Sequence, residues 1–162
     1  MDIHIRTEQA GDAKAVDDLL VRAFGHVYEA DLVIALREAG RAAIALVAEH
    51  EGQIVVQIMF SPLALKDYSP PHDPEAIPPR LPVKAPVPWP GCLPSSLCLL
   101  ALAPVAVLPE FQKKGIGAKL IRQGILAAGP LIWAAGIVVV GQADYYPRFG
   151  VVPASRFGLI CP

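Results

Sequence analysis

The sequence predicts a mixed α/β (α+β) fold in which a central sheet is flanked by helices. Three observations lead to this class. Runs rich in β-branched and apolar residues are typical of strands, at 43–48, 53–60, 99–107 and 137–141. Apolar residues spaced by three and four between 13 and 24 predict an amphipathic helix. The strands at 99–107 and 137–141 enclose a helix over 115–128, which gives a strand-helix-strand unit.

Local signals place the remaining elements. Asp12 is a suitable N-cap for the first helix, which ends near Phe24. The sequence Glu-His-Glu-Gly at 49–52 is a hairpin signal between two strands. Four further elements are predicted: a strand at 3–6, a second helix at 30–37, a short helical stretch at 144–149 and a last strand within 154–160.

Size and composition indicate one domain over residues 1–162. Hydrophobic residues make up 54% of the chain, charged residues 18%, and the net charge is −1. Nucleic-acid binding through a basic face is therefore not expected. Cys92, Cys98 and Cys161 are odd in number and lack metal-binding spacing, so we expect reduced thiols in a cytoplasmic protein. The histidines show no ligand spacing either, so no metal is expected.

One uncharged segment, between Arg122 and Asp144, is long enough to cross a membrane. Glycines at 124, 129 and 136 divide it, and its end is β-branched. A helix end, a turn and a buried strand explain this pattern better than one spanning helix. We therefore expect no membrane association.

Residues 66–98 differ from the rest in composition, because they hold ten of the 17 prolines. Proline fixes φ and removes a hydrogen-bond donor, so an insertion loop between two strands is predicted here. A proline-rich docking ligand for a partner is the alternative interpretation.

The most informative segment runs from Leu102 to Ala118. A buried strand ends at a proline, and a turn with two lysines and two glycines then opens a helix. Unpaired N–H groups and positive charge at a helix N-terminus bind phosphate. The spacing Gln112-x-x-Gly-x-Gly-Ala resembles the acyl-coenzyme A pyrophosphate loop of the GNAT superfamily of N-acetyltransferases.

A second segment, 137–150, resembles the other half of the GNAT signature. A valine-rich strand leads into Tyr-Tyr-Pro-Arg-Phe-Gly, in which Tyr146 stands four residues before Gly150. Many family members carry a tyrosine that acts as general acid at that place. The amino-acid sequences of both segments are similar to those of one bacterial branch of uncharacterised predicted N-acetyltransferases.

The resemblance implies acetyl-CoA as cosubstrate. The pantetheine arm would bond to the backbone of the strand at 99–107, in the gap between it and the strand at 137–141. The pyrophosphate would bind to the loop at 112–118. The implied donor-binding residues are Val105, Ala106, Val107, Gln112, Lys113, Lys114, Gly115, Ile116, Gly117 and Ala118.

The implied reaction is direct attack of a primary amine, of a small molecule or a protein, on the thioester. An N–H near Val107 would polarise the carbonyl, and Tyr146 would protonate the leaving thiolate. A tyrosine pKa near ~10 against ~8.5 for a thiol makes this transfer reasonable. Glu49 is the first candidate for accepting the amine's proton, with His50 and Glu29 as alternatives. Each of these residues also has a purely structural interpretation.

The chain departs from the family pattern at two places that bear on function. Val56-Gln57 stands where this branch usually shows Gly-His. Family members also continue past Pro162 with a final strand, which is missing here. The resulting expectations are a homodimer in which a second copy supplies the pairing, or a weakly active or inactive GNAT-like module that binds acyl-CoA or a partner.

Overall fold

A computed structural model of the chain describes residues 1–65, 97–131 and 135–159. The strands are β1 (His4–Thr7), β2 (Ile44–His50), β3 (Gln53–Leu65), β4 (Leu97–Val107) and β5 (Ile137–Val138). The helices are α1 (Ala13–Phe24), α2 (Tyr28–Glu38) and α3 (Ile116–Ala128). Four short 3₁₀ helices cover Ala10–Asp12, Pro109–Phe111, Tyr146–Phe149 and Ala154–Phe157. Most of the predicted proline-rich insertion, residues 66–96, lies outside the described residues.

The strands form one five-stranded sheet in the order β1-β2-β3-β4-β5. The pairs β1-β2, β2-β3 and β3-β4 are antiparallel, whereas β5 runs parallel to β4. The parallel pair is joined through α3, as the strand-helix-strand unit predicts. The mixed α/β class is therefore confirmed.

β4 and β5 separate soon after they pair. Their pairing covers Leu100 with Ile137 and Ala101 with Val138. β4 then continues to Val107 while it remains paired to β3 on its other side. Within the described part of the chain, residues 102–107 thus leave one strand edge without a strand partner. Such an edge presents backbone N–H and C=O groups to whatever lies beside it.

The face of the sheet that carries Val107 is covered by α3. Val107 lies opposite Val56 on β3, so both side chains point to this face. A Cβ added to Gly117 of α3 would lie 3.1 Å from a methyl group of Val107. A Cβ added to Gly124 would lie 2.8 Å from Cζ of Phe60. Hydrogen is therefore the largest group that Gly124 can carry while α3 keeps this distance from the sheet.

The opposite face is covered by α1 and α2 and holds a polar network at its centre. Gln57, which is fully buried, donates from Nε2 to Glu8 at 3.2 Å. Arg37 of α2 lies 2.6 Å from the same carboxylate and 3.1 Å from Asp17 of α1. This network ties both helices to the end of β1, since a buried polar group needs a partner.

Two predicted elements differ from the structure near the C-terminus. The strand predicted at 137–141 is paired only at Ile137–Val138. The last strand predicted within 154–160 is wrong for the described residues, which form a 3₁₀ helix at Ala154–Phe157. Pro153 precedes this turn and Gly158, with φ 70°, ends it, so the backbone does not extend here.

The expectation of three reduced thiols is wrong for Cys98, which is disulfide-bonded. Cys92 and Cys161 lie outside the described residues. Spacing along the sequence excluded metal motifs, but it carries no information about which cysteines the fold brings together. The cytoplasmic interpretation therefore loses the support of the thiols.

Among residues 1–65, 97–131 and 135–159, no helix is both long and apolar enough to cross a membrane. The uncharged segment contains the second half of α3 and the short strand β5 instead. The same residues contain no cluster of three or more His, Cys, Asp or Glu that could hold a metal ion.

Replacement of Gly124 by alanine is expected to destabilise the fold by about 1–3 kcal/mol, as overpacking does. The added methyl group would overlap the Phe60 ring and approach Ile58. Urea unfolding measures the loss. Gly11→Ala is the matched control, because nothing lies within 4 Å of its added Cβ. Equal stability of the two variants would contradict the close packing of α3.

Candidate active site

The loop between β4 and α3 presents the N-terminus of α3 without a side-chain cap. Gly115 is the N-cap residue with φ 78°, and no side chain caps the helix. The first helical hydrogen bond runs from the N–H of Lys119 to the carbonyl of Gly115 at 3.1 Å. The N–H groups of residues 116–118 therefore precede the helical ladder and have no partner within it. Lys113 also takes a left-handed conformation, with φ 59°.

Two contacts hold this loop to the end of β4. The Gln112 side chain donates from Nε2 to the carbonyl of Val107 at 3.2 Å. Gly117, in the first turn of α3, packs directly on the Val107 side chain. The strand end and the helix start therefore keep a fixed relative position, as the sequence motif requires.

The charges around the loop favour an anion. Lys113 and Lys114 are exposed, and the Lys114 ammonium lies 5.1 Å from the centre of the Phe111 ring. No acidic residue lies in the first turn of α3. The negative charge of Glu110, just before the loop, is offset by Arg22, which binds its carboxylate at 2.8 Å. Its own backbone N–H, and then Arg22, lower the pKa of Glu110. The loop is therefore suited to phosphate.

The predicted cofactor strand lies beside the open edge of the sheet. Val105 lies opposite Ile58, and its half-buried side chain packs against the core with that of Val107. Ala106 points to the other face and is buried. In an antiparallel pair every second residue turns its N–H and C=O away from the partner strand. These groups can bind an extended ligand in the gap between β4 and β5.

Tyr146 begins the 3₁₀ helix after β5, and its ring lies against the backbone of Gly141. A Cβ added to Gly141 would lie 2.5 Å from Cε2 of this ring and 3.2 Å from its hydroxyl oxygen. The Tyr145 ring meets it edge-on, with ring centres 5.2 Å apart. Burial, and to a smaller extent Tyr145, raises the pKa of Tyr146 above its ordinary value. Its hydroxyl thus stays protonated over the neutral range.

Two arginines pack on the aromatic cluster formed by Tyr145, Tyr146 and Phe149. Arg148 lies 4.5 Å from the centre of the Tyr145 ring. Arg122 of α3 lies 5.1 Å from the centre of the Phe149 ring. The cation–π contact of Arg122 with Phe149 connects the segment after β5 to α3. Arg148 is therefore exposed but stacked on Tyr145, and the Tyr145 side chain packs against the core.

Glu49 lies on β2, which β3 separates from β4. Arg6 bonds to its Oε1 at 2.5 Å and to Asp12 at 2.6 Å, and His4 lies 3.5 Å from its Oε2. The Arg6 hydrogen bond lowers the pKa of Glu49, against the opposing effect of burial. β2 is two strands from β4, a distance of about 10 Å at the usual strand spacing. The structure therefore does not bring Glu49 beside Tyr146.

The two alternative bases are also engaged elsewhere. Nδ1 of His50 lies 2.8 Å from the carbonyl of Asp2, and the His50 ring packs edge-on against Phe111. Glu29 lies 2.9 Å from His26 within the first turn of α2. Both residues thus have structural partners at their own ends of the sheet and helix.

Two features of this region were not predicted from the sequence. Gly141 was not recognised as a contact of Tyr146, although a glycine between the valine run and Asp-Tyr-Tyr is a signal of close approach. Arg6 was not recognised as a partner of Asp12 and Glu49. No sequence pattern links these residues, because β1 and β2 are separated by both N-terminal helices.

No family model matches the chain. Two curated proteins of Escherichia coli have sequences similar to this chain. The uncharacterized N-acetyltransferase YjhQ of Escherichia coli K12 is 35% identical over 146 residues, which cover 89% of this chain and 66% of YjhQ. The chain thus spans about two thirds of the length of that relative. The uncharacterized N-acetyltransferase YhbS of the same strain is 30% identical over 158 residues, covering 97% of this chain and 78% of YhbS.

Solved structures agree with these relatives. A GNAT family acetyltransferase from Brucella melitensis, in complex with acetyl-CoA, superimposes with a TM-score of 0.67 at 34% identity. The match covers 92% of this chain and 82% of that one. YhbS from Escherichia coli in complex with CoA gives a TM-score of 0.70 at 27% identity, over 94% of this chain and 70% of that one. The chain belongs to the GNAT family of N-acetyltransferases.

Proposed function

We propose that this chain transfers an acetyl group from acetyl-CoA to an amine. The observation that carries the proposal is the uncapped N-terminus of α3, fixed to the end of β4 beside an unpaired strand edge. A phosphate site and an edge for an extended ligand thus share one strand. The complexes of the Brucella melitensis protein with acetyl-CoA and of YhbS with CoA support this donor.

The residues present fit the donor. The N–H groups of residues 116–118 would bind the pyrophosphate, with Lys113 and Lys114 adding positive charge. A Cβ added to Gly115 would meet nothing within 4 Å, so the space at this turn is open. The open edge of Val105, Ala106 and Val107 would bond to the amide groups of the pantetheine arm. Gln112 would keep the loop on the strand through its bond to Val107.

Acetyl-CoA supplies the activated acyl group as a thioester. A backbone N–H of β4 near Val107 would donate to the carbonyl oxygen as negative charge develops there. Tyr146 would give its hydroxyl proton to the departing sulfur. Since burial raises the pKa of Tyr146, the hydroxyl holds its proton until that transfer.

Glu49 is our proposed acceptor for the proton that the amine must lose. Its position two strands from β4 requires a path through water. Arg6 stabilises the ionised carboxylate, which makes Glu49 available but weakly basic. The acceptor itself is an amine of a small molecule or a protein. The non-catalytic alternative is less favoured, because the relatives are named N-acetyltransferases and Tyr146 is present.

Gly115→Glu is expected to weaken CoA binding at least about fivefold. A carboxylate about 4 Å from a phosphate costs on the order of 1–4 kcal/mol, depending on the local dielectric. Isothermal titration calorimetry with CoA measures the affinity.

Two controls separate charge from backbone strain. Gly115→Ala introduces the same left-handed strain without the charge. Gly40→Glu introduces strain and charge at a distant residue, with φ 64° and nothing within 4 Å of its added Cβ. Gly40→Glu should bind CoA normally. Unchanged affinity of Gly115→Glu would show that the phosphates bind elsewhere.

Tyr146→Phe is expected to lower kcat by about two to four orders of magnitude, the usual contribution of a general acid. The KM for acetyl-CoA should change little, because the ring is kept. Free thiol release with a panel of amines measures the rate. Tyr145→Phe is the matched control and should retain kcat within about tenfold.

The pH profile tests the same assignment. Because burial raises the pKa of Tyr146, the acid should stay protonated through neutral pH, and its ionisation should lower the rate in the alkaline range. This alkaline limb should be absent from Tyr146→Phe. A variant with the parent's rate and profile would refute the role.

Glu49→Gln and Asp12→Asn each remove a carboxylate bound by Arg6, so both should lower stability at neutral pH. The pKa of each carboxyl is lowered in the folded chain, chiefly by Arg6. Their stabilisation is therefore present above the ordinary carboxyl pKa of about 4 and is lost as the pH falls below it. Urea unfolding at pH 7 and pH 3 measures this. Only Glu49→Gln should also lower kcat; equal kcat in both variants would restrict Glu49 to binding Arg6.

A further inference from the structure

Gly141 occupies the contact that fixes one side of the Tyr146 ring. A Cβ at this residue would come 2.5 Å from Cε2, 3.3 Å from Cζ and 3.2 Å from the hydroxyl oxygen of Tyr146. A Cβ does not approach a non-bonded heavy atom within 3.0 Å, so the ring or the backbone of residue 141 would have to shift. The backbone of Gly141 is exposed to solvent and has no positive φ, so conformational freedom does not explain the glycine.

Other contacts restrict the remaining sides of the ring. Tyr145 meets it edge-on at an interplanar angle of 90°, and Phe149 lies with its ring centre 6.3 Å away. Arg148 in turn covers the Tyr145 ring. Displacement by a methyl group at residue 141 would therefore move the Tyr146 hydroxyl rather than be absorbed by loose surroundings.

We propose that Gly141 is a positioning residue for the reaction, which holds the Tyr146 hydroxyl in the place from which it gives its proton. The inference rests on the proposed role of Tyr146 as the acid. Proton transfer requires heavy atoms within about 2.6–3.2 Å, so a displacement near 1 Å separates the acid from the sulfur. Gly141 itself touches no substrate in this scheme.

Gly141→Ala is expected to lower kcat about tenfold to a hundredfold while the KM for acetyl-CoA stays within about threefold, as for a misplaced catalytic group. Gly136→Ala is the matched control from the other end of the same segment. Its added Cβ would lie 3.8 Å from Leu99, an ordinary contact, so its kcat should equal the parent's. A Gly141→Ala variant with the parent's kcat would overturn the proposal.

A double-mutant cycle for stability tests the contact without using activity. Gly141→Ala should destabilise the parent, measured by urea unfolding, but should cost little in a Tyr146→Ala background, where the ring is absent. Equal cost in both backgrounds would overturn the proposal, because the methyl group would then act on something else.

The two measurements distinguish the possible failures. If the cycle shows coupling but Tyr146→Phe keeps the parent's kcat, the acid role has failed and the positioning role falls with it. If Tyr146→Phe loses kcat and Gly141→Ala does not, the acid role stands and the positioning inference alone is wrong. Loss of kcat in both single variants, with coupling in the cycle and no further loss when Gly141→Ala is added to Tyr146→Phe, supports both.

Discussion

The close approach of α3 to the sheet determines where the site lies. Gly124 brings the middle of the helix onto Phe60 and Ile58, and Gly117 brings its first turn onto Val107. Larger side chains at these two residues would lift the helix and carry its N-terminus away from the end of β4. The direction of the N–H groups of residues 116–118 therefore depends on packing in the core, because the helix that bears them moves as a rigid element.

The divergence of β4 and β5 supplies the second half of the arrangement. Pairing at only two positions leaves β4 with an open edge that leads directly to the loop before α3. The segment after β5 then places Tyr146 against Gly141, with Arg122 and Phe149 joining that segment back to α3. Thus α3 bounds the site twice, through its N-terminus and through Arg122. The buried network of Glu8, Gln57 and Arg37 holds α1 and α2 on the other face.

The parts of the fold that were predicted correctly are those that local sequence determines. The loop between β4 and α3 needs a strand, a turn that tolerates positive φ and a helix start, and each leaves its own signal within residues 102–118. The strand predicted within 154–160 is wrong for the described residues, because Pro153 and Gly158 enclose a 3₁₀ turn there. The contacts of Glu49 with Arg6 and of Tyr146 with Gly141 depend on tertiary placement. Residue spacing does not encode the distance between a ring and a neighbouring backbone.

The environments of Tyr146 and Glu49 shift their proton affinities in opposite directions. Burial favours the protonated phenol, whereas Arg6 favours the ionised carboxylate. These directions agree with the proposed roles of Tyr146 as acid and Glu49 as ionised base, but the ion pair with Arg6 alone explains the lowered pKa of Glu49. Here Glu49 lies on β2, two strands from β4, whereas the Tyr146 ring is packed against Gly141, Tyr145 and Phe149. The described residues therefore constrain the proposed acid, Tyr146, more closely than the proposed base, Glu49. This asymmetry suits acetyl transfer, since the departing thiolate needs its proton at one place, whereas the surplus proton of an amine can leave through water.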